Sequence, residues 1–436
     1  MKPTIEFHIL DYLCFGEQDS LEPVSWHTLP DGLWKRGLAF ADTAGLSLHL
    51  RHRLIWRRDF GKLPSSVQQA FEQRHNDNVR RTQLMREECV ELNGRLQGAD
   101  IPYLNLKGLF LLPAFVESPE TRVQYDYDFL LKRHDISRAY ALFLRSGYSP
   151  LHPAKGVAAD HWPTLIQRTG WQWKGNYYDP DIPRAIELHF QLWDSESELI
   201  PIQTLDQVWE RSCHQIVGSI EAPTLSPQDT LLYAMLHSFR HLLRNDLRLS
   251  HLYEIAFFLQ RSSDQESFWE GVVGEVTQCV NTTKIVAATV ELAKSLFRPA
   301  IAAPLSAFVE RNLPVTARSW IEVYGRDGAV HCYRKNRNAL LLHLSLLESN
   351  GSRWALLRQR LVPRHLPLPT YGVQIPKERQ TLKVRVVKAA RYVTLVLQRG
   401  LFQLRALLAL AFQLPAWLIR LKRHRTDPVR SDGTLG

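Results

Sequence analysis

The stretch TRVQYDYDFLLK, residues 121–132, decides the fold and the candidate site of this 436-residue chain. Side chains alternate between the two faces of a β-strand, so this stretch separates its polar residues from its apolar ones. The polar face carries Arg122, Gln124, Asp126 and Asp128. Two carboxylates two residues apart repel each other, and a bound Mg²⁺ ion, which prefers oxygen ligands, removes that repulsion. The stretch therefore predicts a strand with a metal–phosphate site on its polar face.

A second strand is predicted at residues 184–193, RAIELHFQLW. Its alternation places Glu187 and His189 on one face and apolar side chains on the other. A carboxylate inside so apolar a run is costly to bury unless it has a partner. If this strand lies beside the first one, Glu187 supplies a third carboxylate next to Asp126 and Asp128.

Residues 101–108, IPYLNLKG, predict a further strand that ends in a Lys107-Gly108 turn. We expect an apolar helix to follow, from Leu109 to about Val116. Glycine at a strand-to-helix turn lets backbone N–H groups approach a phosphate, and the first turn of a helix favours negative charge. The turn is therefore a candidate phosphate-binding segment.

Four motifs follow one another in a recognisable order: Leu106-Lys107-Gly108, Arg122, Asp126-Tyr127-Asp128 and Glu187-Leu188-His189. This order resembles the minimal nucleotidyltransferase fold of the DNA polymerase β-like superfamily. More narrowly, it is similar to a group of uncharacterised bacterial nucleotidyltransferase-like proteins. A downstream helix with His237 and a later acidic residue, here Asp246 or Glu254, fits the same pattern.

The resemblance implies an α/β fold of the α+β kind, with a small mixed sheet flanked by N-terminal and C-terminal helical regions. It also implies transfer of a nucleoside monophosphate from a nucleoside triphosphate to a hydroxyl group, with Mg²⁺, in a two-metal site, as cofactor. The residues that would bind the metal and carry catalysis are Asp126, Asp128 and Glu187, the last as a ligand or as the base for the attacking hydroxyl. Those that would contact the nucleotide are Lys107, Gly108, Arg122 and His189. Arg122 also suits a salt bridge at the start of the strand, and His189 suits a packed polar residue.

Some residues depart from the wider family pattern. The turn is Gly108-Leu109 where most members have a second small residue, the gap from Gly108 to Asp126 is long, and the third carboxylate is Glu187 rather than Asp. Two other functions therefore stay open. One is a degenerate nucleotidyltransferase-like module that binds or regulates within an envelope or polysaccharide assembly. The other is a phosphate-handling hydrolase that uses water as acceptor.

The formal net charge of +10 is unevenly distributed along the chain. Residues 353–436 contain 17 Lys and Arg against 3 Asp and Glu, whereas residues 1–352 contain 37 against 41. Phosphate neutralisation dominates the binding of long nucleic acids, so an enzyme that grips them is expected to carry positive charge around its site. A small-molecule, sugar or protein acceptor is therefore favoured over DNA or tRNA.

We expect four segments along the chain: a helical cap at 1–99, a catalytic core at 100–225, a helical domain at 226–350 and a basic amphipathic tail at 351–436. Helical spacing of apolar residues predicts helices at 33–60 (broken near Gly45), 65–96, 137–145, from Pro227 in SPQDTLLYAMLHSFRHLL, 247–260, 268–297 and 339–347. Residues 150–183 predict a loop or hairpin near the mouth of the site. His237 and His241 lie one helical turn apart, which suits a metal, but the sequence shows no third ligand.

The five cysteines lack any Cys-x-x-Cys spacing, which fits a reducing compartment. The N-terminus carries acids and no long apolar run, so no secretory signal is expected there. These features predict a cytoplasmic protein, with a peripheral position on the inner membrane face if the tail binds it.

The tail allows three interpretations. Residues 401–419 are mostly apolar but include Arg405, which is costly in a spanning helix of about 20 apolar residues. A basic amphipathic segment at residues 381–425 that lies on an anionic membrane surface fits better. A docked pair of C-terminal helices with a solvated basic face, or a single membrane span, remain alternatives.

Overall fold

A seven-stranded mixed sheet organises the middle of the chain. The computed structural model describes residues 4–16, 26–111, 113–151, 160–202, 207–278, 280–333, 338–361 and 381–426. The strands are β1 (Tyr103–Asn105), β2 (Asp126–Leu131), β3 (Ser149–Pro150), β4 (Leu165–Ile166), β5 (Ala185–His189), β6 (Cys213–Val217) and β7 (Ile220–Thr224). They are ordered β3-β4-β5-β2-β1-β7-β6 across the sheet.

Helices surround the sheet and make up most of the chain. Within the described residues they are α1 (Ile5–Tyr12), α2 (Asp31–Ala44), α3 (Ser47–Trp56), α4 (Ser65–Gly98), α5 (Ile136–Arg145), α6 (Ser195–Glu198), α7 (Pro227–Leu243), α8 (Leu249–Arg261), α9 (Glu266–Val276), α10 (Val280–Phe297), α11 (Ala303–Asn312), α12 (Val315–Trp320), α13 (Arg326–Ala329), α14 (Ala339–Leu346), α15 (Asn350–Leu361) and α16 (Leu382–Thr426). The α/β class with flanking helical regions is confirmed.

Strand β2 lies at the centre of the sheet, antiparallel to β1 and parallel to β5. The register of the parallel pair sets Asp126 beside Ala185 and Asp128 directly beside Glu187. Neighbouring strands lie about 4.8 Å apart, so side chains on the same face of paired residues meet. The expected neighbourhood of the two acidic strands is thereby confirmed.

The two faces of β2 bury different surroundings. Tyr127 and Phe129 point toward α4 and α5 and join an apolar cluster with residues such as Leu92 and Phe143. The opposite face carries the acids and Leu130, which packs in a smaller cluster with Tyr233 of α7. The alternation in the sequence thus places the carboxylates between the sheet and α7.

The largest apolar core contains residues from helices that precede the sheet in the chain and from helices that follow it. It contains Trp34 of α2, Phe71 of α4, Tyr253 of α8 and Trp269 of α9, all nearly inaccessible to solvent. Burial of aromatic side chains of this size dominates core energetics. The four predicted segment boundaries stay a prediction, and residues 362–380 of the tail lie outside the described residues.

Most predicted helices are confirmed, and their ends follow local chemistry. Gly45 ends α2 in the left-handed conformation, with φ of 75°. Ser226 caps α7 by accepting the N–H of Asp229, and Pro227 follows as the first helical residue. The predicted helix at 268–297 is two helices, α9 and α10.

Two segments near the site differ from the prediction. The strand expected at 121–132 begins only at Asp126, so Arg122 and Gln124 precede it. The helix expected from Leu109 to Val116 is a 3₁₀ turn over Gly108–Leu111. Pro113 explains this, because its ring would clash with the carbonyl four residues earlier in an α-helix and it has no N–H to donate.

Candidate functional site

Three carboxylates meet on the α7-facing side of the sheet. Asp126 and Asp128 project from β2, and Glu187 projects from the paired position on β5. One ligand atom from each of Asp128, Glu187 and His189 can be chosen so that all lie within 4.8 Å of one another. Asp128 is almost fully buried, whereas about a third of the Asp126 side chain is exposed. The group therefore has one enclosed and one accessible end.

Lys107 joins two of these acids. Its Nζ lies 3.2 Å from Asp128 Oδ1 and 3.6 Å from Asp126 Oδ2. Burial alone lowers the pKa of an amine, but Asp126 and Asp128 outweigh it, so the pKa of Lys107 is raised and the side chain is a cation. The predicted residue of the turn is therefore brought to the acidic pair.

His189 lies behind the carboxylates rather than at the surface. Its Nε2 is 3.2 Å from Asp128 Oδ1 and 3.6 Å from Glu187 Oε2. Burial disfavours the charged imidazole, but these two carboxylates outweigh it and raise the pKa of His189 to about 9. Asp160, ion-paired with Arg240, lies on the far side of the ring, 3.9 Å from Nδ1. His189 therefore orients the acids, which fits the packed polar alternative better than direct contact with a nucleotide.

The acids themselves differ in ionisation. Burial and the neighbouring Asp128 raise the pKa of Asp126. Burial also opposes ionisation of Glu187, but its hydrogen bond to His189 and the charge of His161 outweigh this and lower its pKa. In the absence of metal, Asp126 is thus the carboxylate whose charge is least stabilised.

The donor set fits a hard divalent cation. Asp128 Oδ2 is buried and has no hydrogen-bond partner among the described residues. Leaving such an oxygen without a partner is costly, so it calls for a ligand. Mg²⁺ binds carboxylate oxygens and keeps several waters, which the open side at Asp126 permits. Within the described residues, the ligand atoms close enough to share one ion belong to Asp128, Glu187 and His189, and Asp126 lies beside them.

Gly108 makes space for a side chain that the sequence did not single out. It adopts φ of 77°, and a Cβ atom built on it would lie 2.1 Å from Gln124 Nε2. That Nε2 donates a hydrogen bond of 2.7 Å to the backbone oxygen of Asp126. The structure therefore explains the glycine by close packing beneath the acidic strand, beside a four-residue 3₁₀ turn.

The sequence model of a protein family described as "Uncharacterised nucleotidyltransferase" matches residues 30–298, well over half of the chain. The chain belongs to this nucleotidyltransferase family. The match spans α2 through α10 and includes the whole sheet and the acidic cluster. No curated protein and no solved structure is significantly similar to the chain.

The chain has a small pocket of about 30 Å³ beside the acidic cluster. Its lining residues come from the Lys107 turn, the segment before β2 and helices α7 and α8: Lys107, Leu111, Arg122, Thr230, Tyr233, Ala234, His237, Ser238, His251 and Glu254. Arg122 lies here, with its Nε 3.1 Å from Glu254 Oε1. Of the two acidic residues offered by the family resemblance, Glu254 is thus the one that lines the pocket.

Several polar atoms of this pocket lack partners. Arg122 Nη1, Tyr233 Oη and His251 Nδ1 are buried and make no hydrogen bond within the part of the chain that the structure describes. Buried donors without partners are rare in folded proteins, and a cluster of them around one pocket indicates a ligand that satisfies them. These atoms form a polar lining next to the acidic cluster.

Three histidines crowd the far wall of the pocket. His251 of α8 joins His237 and His241 of α7, with ring centres 4.4–5.8 Å apart. Burial lowers the pKa of both His237 and His251 well below the ordinary value of a histidine. Lys107 lowers the pKa of His237 further, and His241 does the same for His251. They are therefore neutral at physiological pH. His237 and His251 line the pocket, whereas His241 is not among its lining residues.

Sequence reasoning missed residues that approach the site only through the fold. Asp160, Tyr233, Arg240 and His251 lie outside the four motifs, on the segment before β4 and on helices α7 and α8. The β6–β7 hairpin was also missed, although Gly218 with φ of 62° marks its turn. Of the predicted loop, Ser149–Pro150 and Leu165–Ile166 pair as a hairpin, and residues 152–159 lie outside the described residues.

Proposed function

We propose that this nucleotidyltransferase moves a nucleoside monophosphate from a nucleoside triphosphate to a hydroxyl-bearing acceptor in a Mg²⁺-dependent reaction. The observation that carries the proposal is the pairing of Asp128 with Glu187 across two parallel strands, with Asp126 two residues away and Lys107 between the acids. Family membership gives the class of reaction. The metal and the acceptor are inferred from the residues.

Asp126, Asp128 and Glu187 would hold the metal, in a one-ion or two-ion arrangement. Bound Mg²⁺ would neutralise the negative charge on the triphosphate as pyrophosphate leaves. The unpartnered Asp128 Oδ2 and the accessible Asp126 provide oxygens for it. His189, held between Asp128 and Glu187, keeps their carboxylates in place.

The lowered pKa of Glu187 bears on its role. An effective general base has a pKa near the working pH, whereas a carboxylate that ionises far below it holds protons too weakly. His189 and His161 keep Glu187 ionised, and Thr164 Oγ1 lies 3.3 Å from its Oε1. These contacts support Glu187 as a metal ligand rather than as the base that accepts the proton of the attacking hydroxyl.

The phosphate chain would extend from the carboxylates into the neighbouring pocket. Lys107 lines both places, because its ammonium group contacts the acids and its side chain forms part of the pocket wall. Arg122 Nη1 and Tyr233 Oη offer donors without partners among the described residues. Phosphate oxygens are strong acceptors, and a cationic donor binds them best. This arrangement supports the predicted roles of Lys107 and Arg122.

The acceptor is proposed to be a small molecule, a sugar or a protein. Residues 1–352, which include the whole family match, carry 37 basic and 41 acidic residues. Long nucleic acids bind through neutralisation of many phosphates, which this body does not favour.

Calorimetric titration tests the proposal. Each of the four ribonucleoside triphosphates is titrated with and without Mg²⁺ into the wild type, Asp126→Asn and the control Asp264→Asn, which changes an exposed acid on the helical body. We expect Mg²⁺-dependent binding of at least one nucleotide that Asp126→Asn loses and the control keeps.

The reaction is then followed with α-labelled nucleotide. Label on an acceptor together with free pyrophosphate supports transfer, whereas label found only on free nucleoside monophosphate indicates hydrolysis. Absence of nucleotide binding in wild type would contradict the proposal and favour the degenerate binding module.

A further inference from the structure

Helix α16 exposes an apolar row along its outer side. The row, called here the apolar stripe, consists of Val393, Leu397, Leu401, Leu404, Leu408 and Phe412, each at least half exposed. Their spacing of three or four residues places them on one side of a helix. Phe412 is 84% exposed, which is unusual for so large an apolar side chain. A contiguous row of this kind marks an interaction surface.

The other side of α16 is already occupied. Ala406 and Trp417 are buried against the helical body, and the Trp417 ring lies 6.1 Å from that of Tyr324. These residues lie on the side of α16 opposite the stripe. The helix therefore packs against the body with that side, and the stripe faces outward. The stripe is therefore not the buried side of a docked helix pair.

The charge around the stripe has one sign. Residues 381–426 contain ten Lys and Arg and no Asp or Glu. Arg391 and Arg405 are exposed on the flanks of the stripe, whereas Arg399 lies on the side of Ala406. Basic residues beside an exposed apolar helix side are the combination that binds an anionic bilayer, where charge attracts the helix and apolar side chains enter the interface.

We propose that the apolar stripe of α16 lies on an anionic membrane surface, with the helix axis parallel to the bilayer. A second copy of this chain is a poor occupant, since two helices that each carry ten positive charges would repel. The segment Arg385–Ile419 is long and apolar enough to cross a membrane by length and composition. Crossing, however, would pull Ala406 and Trp417 off the body and place Arg399 and Arg405 in hydrocarbon.

This surface would bring the reaction to the membrane. It is independent of the metal site, because no residue of the stripe lines the pocket beside Lys107. The acceptor class that suits such an enzyme is a hydroxyl-bearing molecule held at the bilayer, and this last step alone rests on the proposed function.

Vesicle flotation of the full chain tests the surface. Wild type is mixed with vesicles of zwitterionic lipid alone or with about one-third anionic lipid. Two variants probe the two parts of the surface: Leu404→Gln with Leu408→Gln and Phe412→Gln for the stripe, and Arg391→Gln with Arg405→Gln for the charge. Ile216→Gln is the matched control, since Ile216 is an exposed apolar residue on β6, away from α16.

We expect wild type and the control to float with anionic vesicles only, and the stripe variant to stay in solution. The charge variant should bind about fivefold more weakly for each arginine removed, and salt should weaken wild-type binding. All changed side chains are exposed, and circular dichroism confirms that each variant is folded.

Four results would overturn the proposal. The first is that wild type does not float with anionic vesicles, and the second is that the stripe variant floats as well as the control. Membrane-bound protein that resists extraction at alkaline pH would indicate a spanning helix. A further contrary result is that wild type does not bind vesicles but forms a dimer in sedimentation analysis, and that the stripe variant is a monomer. The stripe would then be a contact between two copies of the chain. Nucleotide titration of the stripe variant separates this outcome from failure of the proposed reaction.

Discussion

Lys107, in the turn after β1, forms an ion pair with Asp128 of the acidic strand, with 3.2 Å from Nζ to Oδ1. Asp128 also lies 3.2 Å from His189 Nε2, so this buried carboxylate faces two cations. Asp126 lies farther from Lys107, at 3.6 Å, and is partly exposed. The two acids of the motif are therefore not equivalent, although the sequence alone makes them look alike.

Asp126→Asn should leave the protein without metal as stable as wild type. Neighbouring acids and burial oppose the charge of Asp126, and Lys107 keeps Asp128 as its partner. We expect the free energy of unfolding in a chelator to change by less than about 1 kcal/mol. Mg²⁺ affinity should fall by at least about tenfold, because even indirect contacts to a metal carry effects of that size. Urea unfolding and calorimetric Mg²⁺ titration measure the two quantities.

Asp128→Asn should lose both stability and metal binding. Removing one member of a buried ion pair leaves uncompensated charge on Lys107 and His189 and costs about 3 kcal/mol. The same urea series in a chelator measures the loss. Equal stability of Asp126→Asn and Asp128→Asn would show that the contacts of Lys107 with the two acids contribute equally to stability.

Gly108→Ala should disturb the acidic strand through Gln124. A residue other than glycine at φ of 77° costs about 1–2 kcal/mol, and the added Cβ would displace Gln124 Nε2 from the backbone oxygen of Asp126. Gly147→Ala is the matched control, because Gly147 has φ of 89° and open space around its Cβ position. We expect Gly108→Ala to lose about 1 kcal/mol more than the control and to weaken Mg²⁺ binding, which the control should not do. Identical losses of stability in Gly108→Ala and Gly147→Ala would show that the contact with Gln124 does not contribute.

Strand alternation was enough to predict how the core of the site is built. The sequence placed Asp126, Asp128 and Glu187 correctly because each strand has a polar and an apolar face, and the apolar faces need burial against α4 and α5. The sequence gives only a condition, that Glu187 joins the two aspartates if the strands are neighbours, and the parallel pairing of Asp128 with Glu187 is a finding of the structure. Local periodicity does not carry information on which strands become neighbours.

The pocket beside Lys107 could not be predicted in the same way. Tyr233 and His251 lie on helices more than 100 residues away in sequence, and helix packing, not a motif, brings them to the turn. The family resemblance offered Glu254 only as one of two acidic positions. The α-helix expected after Gly108 does not form, for a local reason. The apolar spacing there is helical, but Pro113 is incompatible with the interior of an α-helix. Long-range packing and a single proline thus account for the main differences.

Stability in acid should depend on Glu117. Burial alone raises the pKa of a carboxyl group, but His49 at 3.4 Å and the hydroxyl of Tyr253, which donates at 2.9 Å, lower the pKa of Glu117 to about 2 from 4.5. The folded-state pKa is thus below the unfolded one, so the stabilisation is complete above pH 4.5 and is lost as the pH falls through about 2.

Glu117→Gln should therefore lose about 2–3 kcal/mol at pH 7, and its difference from wild type should shrink to less than half of that by pH 3. Urea unfolding at pH 7, 4.5 and 3 measures this difference. Glu72→Gln is the control, because Glu72 forms a surface pair with Arg51 that contributes little. A difference that stays constant with pH would show that the charge of Glu117 is not the cause.

Tyr233→Phe should separate binding from stability in the pocket. The buried hydroxyl has no hydrogen-bond partner among the described residues, so its removal should leave the free energy of unfolding unchanged or raise it by up to about 1 kcal/mol. If phosphate oxygens satisfy this hydroxyl, the variant should bind Mg²⁺-pyrophosphate about fivefold more weakly. Tyr253→Phe is the contrasting variant, since its hydroxyl donates to Glu117 and does not line the pocket. It should lose about 1–2 kcal/mol of stability and keep its affinity. Removing a hydroxyl that donates to a phosphate oxygen must weaken phosphate binding. Unchanged pyrophosphate affinity in Tyr233→Phe would therefore show that the phosphate chain lies elsewhere.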